Sequence, residues 1–318
     1  MVQKNRYVIG LDGGGTKTAA IIADVNGNEV AEVVAGPSNF QMIGVEKAAE
    51  VLFGVIEACI AKVQCGLDNI VSVVAGLTGA GRQSDQDRMR EGFLSFARQK
   101  GAAFDSVLIE SDARIALEGA FLGKPGIILI AGTGSIAFAK DAQAVIHRVG
   151  GWGRMLGDEG SGYTIGREGL NAVTKDLDGR GEHTQLTKLV GDRFGLTDQE
   201  KMIAAVYREN FDIASVAPLV LEAASKHDPE CERILNRAAA ELCEHVRVMT
   251  HRMNSARKDR SQKIRLAFIG TVAGGENVLS RILKRKISST LAQIKIVSPE
   301  ASPARGAVLM ALSLATQR

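Results

Sequence analysis

The stretch Tyr7-Val8-Ile9-Gly10-Leu11-Asp12-Gly13-Gly14-Gly15-Thr16-Lys17-Thr18 restricts this chain more than any other. An apolar run ends in an aspartate, three glycines follow, then Thr-Lys-Thr, then a second apolar run from Ala19 to Ala23. Such a turn between two strands leaves backbone N–H groups bare, and glycine lets the backbone reach φ > 0 and approach a ligand closely. The turn is therefore suited to wrapping an anion. Asp12, at the strand end, adds a hard oxygen of the kind that holds hydrated magnesium. The pattern points to a nucleoside triphosphate; the plainer reading is a glycine-rich hairpin. Neither a Walker A loop nor a dinucleotide fingerprint fits, because Gly-x-x-x-x-Gly-Lys-Ser/Thr is missing and a strand follows instead of a helix.

The pattern of apolar residues extends this start into an α/β protein with mixed sheets flanked by helices. Arg6–Leu11, Lys17–Asp24 and Glu29–Gly36 read as strands, the last two joined by Asn26-Gly27-Asn28. A helix over Val45–Val63, a strand over Ile70–Gly76, a helix over Asp85–Lys100, a strand over Ser106–Glu110 and a helix over Ala113–Leu122 complete a first cycle. A second cycle opens with strands Gly126–Ala131, Ile136–Lys140 and Ala144–Val149. Helices are expected near 164–178, 184–194, 199–208, 214–226 and 229–255, then strand Ile264–Ile269, helix Gly275–Ser288, strand Ile294–Val297 and helix Pro303–Thr316. Gly132-Thr133-Gly134-Ser135 takes the same place in its cycle as the first turn, between a buried strand and a strand that follows at once, so the chain reads as a faint internal duplication.

The 318 residues suit two domains, expected as 1–122 with 303–318, and 123–302. Basic residues gather in 252–265 (Arg252, Arg257, Lys258, Arg260, Lys263, Arg265) and in 281–286, but the net charge is only +3. Asp259 interrupts the first cluster and no aromatics interleave, so no nucleic-acid partner is expected. No apolar run approaches the ~20 residues that span a bilayer, and the N-terminus lacks a signal-peptide pattern. Four cysteines, Cys59, Cys65, Cys231 and Cys243, show no Cys-x-x-Cys spacing. Reduced thiols in a cytoplasmic protein are the expectation. His227 and Cys231, four apart on an expected helix, read as core packing rather than a metal pair.

Three glycine-rich turns in order, the third at Ile269-Gly270-Thr271-Val272-Ala273-Gly274-Gly275, resemble the actin–hexokinase–heat-shock ATPase superfamily. Finer motifs narrow this: Asp12–Thr18, Gly36-Pro37-Ser38-Asn39, Ser111-Asp112-Ala113, Gly132–Ser135 and Gly150-Gly151-Trp152-Gly153-Arg154-Met155-Leu156-Gly157-Asp158-Glu159-Gly160-Ser161-Gly162. Together they are similar to the N-acetylglucosamine kinase family of the BadF/BadG/BcrA/BcrD-type ATPase group. The resemblance implies two ribonuclease H-like domains closing on a cleft, ATP and Mg2+ as cofactors, an amino-sugar substrate and a homodimer. The same group contains activator ATPases that act on a partner protein through a shared iron–sulfur cluster. That alternative needs cysteines in the cleft, and the four here fall on expected helices, away from the turns.

Transfer of phosphate to a sugar hydroxyl needs held phosphates, a metal, a placed hydroxyl and a base. The N–H groups and hydroxyls of Gly13, Gly14, Gly15, Thr16, Gly132, Thr133, Gly134 and Ser135 are the candidate phosphate grip, with Gly270 and Gly274 against the adenosine. Lys17 either neutralises phosphate or points to solvent. Asp12 is the candidate metal ligand. The resemblance puts the base at Asp112, between a strand and a helix; that position also suits a helix cap. It puts the sugar on Asn39, Asp112, Trp152, Gly153 and Asp158, although Trp152 suits core packing equally well.

Overall fold

The structure, a computed structural model, describes residues 5–255 and 261–316. These fall into two compact units, one within Met1–Lys124 and Ser298–Arg318, the other within Pro125–Val297.

In the first unit, β1 (Tyr7–Gly13), β2 (Thr18–Asp24) and β3 (Glu29–Ala35) form an antiparallel meander. Then come the short helix α1 (Phe40–Ile43), α2 (Val45–Val63), β4 (Ile70–Leu77), α3 (Gln83–Gln99), β5 (Val107–Ser111) and α4 (Asp112–Phe121). The sheet order is β3-β2-β1-β4-β5, with β4 parallel to β1 and β5 parallel to β4. β1 is buried on both faces, which explains its unbroken apolar run. Tyr7, Ile9 and Leu11 enter one core with residues of α2 and α3. Val8 enters the opposite core with Ile115 of α4 and with Ala304, Ala307 and Val308 of the C-terminal helix, Pro303–Thr316. That helix lies so close to β1 that any Cβ at Gly10 would collide with the backbone of Val308 and Ala304. Gly119 and Gly306 allow the same intimacy between α4 and the start of the C-terminal helix with the residue before it.

The second unit repeats the plan. Strands β6 (Gly126–Ala131), β7 (Ser135–Lys140) and β8 (Ile146–Gly150) form the meander, and β9 (Ile264–Ile269) and β10 (Ile294–Ile296) complete a sheet ordered β10-β9-β6-β7-β8. β9 runs parallel to β6 and β10 parallel to β9, so each sheet has an antiparallel meander on one side of its central strand and parallel strands on the other. Helices α5 (Gly162–Leu177), α6 (Gln185–Phe194), α7 (Gln199–Arg208), α8 (Ala217–Ser225), α9 (Pro229–Ser255) and α10 (Val278–Thr290) cover it. α9 turns Ile234, Leu235, Ala238, Leu242, Val246, Met249 and Met253 into the core at helical spacing.

Some boundaries differ from the sequence expectations for local reasons. The helix expected at 214–226 is a 3-10 turn, Ile213–Val216, followed by α8, with Pro218 in the first turn where its missing N–H does no harm. α10 starts at Val278, not Gly275, because the Asn277 side chain accepts from Ser280 N–H at 2.9 Å and caps it. α1 is too short to show a period. His227 is not on a helix with Cys231: it sits at φ 63° before Pro229 opens α9, and its exposed ring pairs with Glu232. Cys231 is buried beside Thr184 and Asp228. Of the first basic cluster, Arg257, Lys258 and Arg260 lie outside the described residues. No helix among the described residues is long and apolar enough to cross a membrane.

Candidate functional site

The first turn joins β1 to β2, and its glycines work differently from the sequence expectation. None of Gly13, Gly14 and Gly15 has positive φ. Gly13 is required by space, since a Cβ there would collide with Ser38 and Leu77. Gly14 N–H donates to the Lys17 carbonyl at 2.9 Å, which closes the turn and removes that donor from any phosphate grip. Gly15, Thr16 and Lys17 stand exposed, and their N–H groups have no hydrogen-bond partner among the described residues. The motif Gly36–Asn39 is fastened beneath. Thr18 Oγ1 donates to the Gly36 carbonyl and accepts from Ser38 Oγ, both at 2.8 Å. Gly14 O accepts from the N–H groups of Ser38 and Asn39.

Two carboxylates attend this turn. Asp12, near the end of β1, is half-buried, and its carboxylate has no hydrogen-bond partner among the described residues. Burial, then the charge of Asp112, raise its pKa from 3.8 to about 6, against the opposing pull of Lys17. A buried carboxylate repelled by a second one is suited to a hard cation, so the donor chemistry fits hydrated magnesium. Asp112 is the first residue of α4, but Ser111 is the cap, accepting from Arg114 N–H at 3.2 Å. Asp112 Oδ1 accepts from Ala113 N–H and Oδ2 from Thr78 Oγ1, both at 2.8 Å. Thr78 N–H in turn donates to Gly13 O at 2.9 Å, which ties the Asp112 carboxylate to the turn. Asn39 caps α1, accepting from Gln41 N–H at 3.1 Å. Its Oδ1 lies next to Gly79, the residue after Thr78. Asp12, Asn39, Asp112 and the first turn are therefore brought together by one unit.

The second turn joins β6 to β7 and is more fully bonded. Gly132 N–H donates to Gly134 O at 3.0 Å. Helix α5, capped by Ser161, docks its first donors on the turn: Gly162 N–H to Gly132 O at 2.7 Å and Tyr163 N–H to Thr133 O at 3.2 Å. Asp158 Oδ1 accepts from Ser135 N–H at 3.4 Å, and its carboxylate lies against Gly134. Ser135 N–H is thus engaged, and only Thr133 and Gly134 keep donors for an anion. The third turn stacks alongside. Val272 and Ala273 N–H both point at Ala131 O, at 3.0 and 3.3 Å. Gly270, at φ 93°, would bring a Cβ within 2.5 Å of that same oxygen.

Trp152, 71 % exposed, is not a core residue. It projects with Met155 and Leu156 from the loop after β8, where Gly153 has φ 81°. Asp158 belongs to the same loop but turns back under the second turn.

The sequence matches the BadF/BadG/BcrA/BcrD ATPase family over residues 9–311. The chain belongs to this family. It is 33% identical to the N-acetylmuramic acid/N-acetylglucosamine kinase of Clostridium acetobutylicum, over 97% of this chain and 99% of that protein. It is 31% identical to the N-acetyl-D-glucosamine kinase of Dictyostelium discoideum, over 96% and 97%. A structure solved for a candidate N-acetylglucosamine kinase of Chromobacterium violaceum superposes with a TM-score of 0.73 at 28% identity, covering 96% and 99%. A ROK family glucokinase from Streptomyces griseus, at 15% identity and a TM-score of 0.56 over 98% and 100%, shares the fold alone.

Within this family member, two features escaped the sequence reading. Thr78 links the first turn to Asp112, yet a lone threonine after a strand carries no motif. Gly162 and Tyr163 donate to the second turn, and the Ser161 cap was the available signal. None of the cysteines belongs to a turn: Cys59 lies within α2 and Cys231 and Cys243 within α9, all three buried, while Cys65 falls just past the end of α2 and not on the helix expected for it. Burial pushes the Cys59 thiol up to about 11 and the Cys231 thiol up to about 12, which keeps both protonated.

Proposed function

We propose that this family member is an ATP-dependent kinase of amino sugars, transferring the γ-phosphate to the 6-hydroxyl of N-acetylglucosamine or glucosamine. The observation that carries the reading is the Asp112 carboxylate, held through Thr78 to the first turn, with Asn39 against the neighbouring Gly79. A carboxylate fixed by two donors retains free acceptor capacity on both oxygens. It can orient a sugar hydroxyl and accept its proton late in transfer. Asn39 offers a side-chain NH2 to a sugar oxygen. Gly15 and Thr16 supply N–H donors on this side, with Lys17 beside them as a cation. In the second unit, Thr133 and Gly134 keep N–H donors suited to an anion, and Gly270 and Gly274 leave a bare backbone surface suited to an adenosine. Asp12 would hold magnesium, which supplies neutralising charge for the phosphates. Trp152 and Gly153 contribute from an exposed loop. The full-length similarity to curated amino-sugar kinases supports the acceptor class. A homodimer, implied by the family resemblance, and a cytoplasmic setting, expected from reduced thiols, belong to the same proposal.

The test is an acceptor panel. Purified protein with ATP and Mg2+ is offered N-acetylglucosamine, glucosamine, N-acetylmuramic acid and glucose, and ADP release is followed. An amino sugar should accelerate turnover and end as its 6-phosphate. ATP turnover that no hexose accelerates would overturn the reading. Omission of Mg2+ should abolish the sugar-dependent rate.

A further inference from the structure

The loop between β8 and α5, residues 151–161, rests on α9 at both ends. Gly160, at φ 74°, would bring a Cβ within 2.5 Å of Leu242 Cγ and 2.7 Å of Ala238 O. At the other end, Gly150 and Gly151 have φ 76° and 69°, and the Gly150 backbone lies flat against the imidazole of His245, where a Cβ would collide with Nε2 and Cδ2. Between these two rests the loop is exposed at Trp152, Met155 and Leu156.

His245 is the polar member of this seat, and its side chain is only 8% exposed. Its Nδ1 lies 2.8 Å from the Glu241 carbonyl, which can only accept, so Nδ1 carries a proton. That bond fixes the ring plane against Gly150 and leaves Nε2 4.0 Å from Glu159 Oε2, a charge pair when the imidazole is protonated. Glu159 belongs to the loop, and its carbonyl accepts from Ser135 Oγ at 2.7 Å. Ser135 O in turn accepts from Gly151 N–H at 3.0 Å. The ring therefore stands where the loop's entry, its Glu159 carboxylate and the second turn converge. A helix side chain with no other task visible in the structure is placed where it sets the loop's position.

We propose that His245 is a positioning residue for sugar binding: acting through Gly150 and Glu159, it holds the Gly151–Ser161 loop in the pose from which Trp152 and Gly153 meet the acceptor. The proposal rests on the amino-sugar kinase reading above.

Trp152 is the only tryptophan in the chain, so its fluorescence reports the loop without reference to catalysis. The variants are His245→Phe, which keeps a ring against Gly150 but loses both nitrogens, and Glu159→Gln on the half-exposed partner. In each, Trp152 anisotropy should fall and the KM for sugar should rise about tenfold, with kcat and the KM for ATP changing far less. The double variant should be little worse than either single one, because both changes break one connection. Anisotropy and sugar KM unchanged in both variants would overturn the proposal, as would equal losses on sugar and ATP or additive effects in the double variant. Failure to fold in His245→Phe leaves Glu159→Gln to decide, since Glu159 is not in the core. A changed anisotropy in a protein that phosphorylates no sugar would overturn the proposed function and also the sugar-binding role given to His245, while leaving the loop anchorage established.

Discussion

The two glycine-rich turns occupy the same place in two sheets of the same strand order, yet they are finished in opposite ways. The first is open and acidic. Its exposed residues keep free donors, and two carboxylates, Asp12 and Asp112, stand beside it with mutual repulsion. The second is closed: its carbonyls are taken by the first N–H groups of α5, its Ser135 N–H by Asp158, and the third turn packs against Ala131. Packing this turn under α5 and against the third turn is tolerable because the carbonyls of Ala131, Gly132, Thr133 and Gly134 all find donors, while the Thr133 and Gly134 N–H groups stay open. The contrast suggests a division of work within the proposed kinase, with chemistry at the open turn and rigid nucleotide placement at the closed one.

The largest break in the comparison should come from the open turn. Asp112→Asn keeps the shape and the Ala113 contact but removes the proton acceptor, so kcat should fall by about 10²–10⁴ while sugar binding persists. Steady-state kinetics with a sugar-binding titration measures both, and retained kcat would remove Asp112 from its role as base. The closed turn should answer with stability instead. Gly270→Ala forces a left-handed backbone on alanine and a clash with Ala131 O, costing about 3 kcal/mol. Gly15→Ala meets only Met42 Sδ at 3.8 Å and should stay within about 0.5 kcal/mol of the parent. Equal losses in the two denaturation curves would erase the distinction between the turns.

Much of this architecture was legible because it is periodic. The helix expected over Val45–Val63 matches α2 to the residue, and Gly126–Ala131 and Ile264–Ile269 match β6 and β9. Buried strands read as apolar runs, and the long helices turn apolar residues inward at helical spacing. Asp12 was nameable because it closes an apolar strand, whereas Asn39 and the role of Asp112 as base came from the family resemblance. The direction of Asp158 was not legible, since its turn back onto Ser135 depends on φ 59° at that residue and on glycines at 150, 151, 153 and 160. Nor was the reason for three glycines in the first turn. The expectation was positive φ; the requirement is space at Gly13 and openness at Gly15.

Asp12 sharpens the comparison through pH. Its folded pKa, about 6, lies above the usual 3.8. Its protonated form therefore favours folding, and that stability is present below about pH 4 and lost as pH rises through about 6. At neutral pH, without nucleotide or magnesium, the ionised group costs no more than about 3 kcal/mol. Asp12→Asn should thus raise the Tm of the ligand-free protein at pH 7, with the gain fading towards pH 4, while sugar-dependent turnover drops. A gain independent of pH would show that the carboxylate is not strained by its surroundings.

The smallest effect should come from the link between turn and base. Thr78→Val preserves shape and the backbone bond to Gly13, and deletes only the hydroxyl that donates to Asp112 Oδ2. The carboxylate keeps its bond from Ala113 N–H and remains in place, but it can now swing about that one anchor. Since a hydrogen bond to a charged group is worth about 1.5–3 kcal/mol and part of that is recovered by water at a half-buried site, kcat should fall about fivefold with the KM for ATP unchanged. A loss as large as that of Asp112→Asn would mean that Thr78 itself contacts the reacting groups. No loss would mean that the helix N–H alone orients the base, and that the open turn and α4 need no connection beyond the sheet they share.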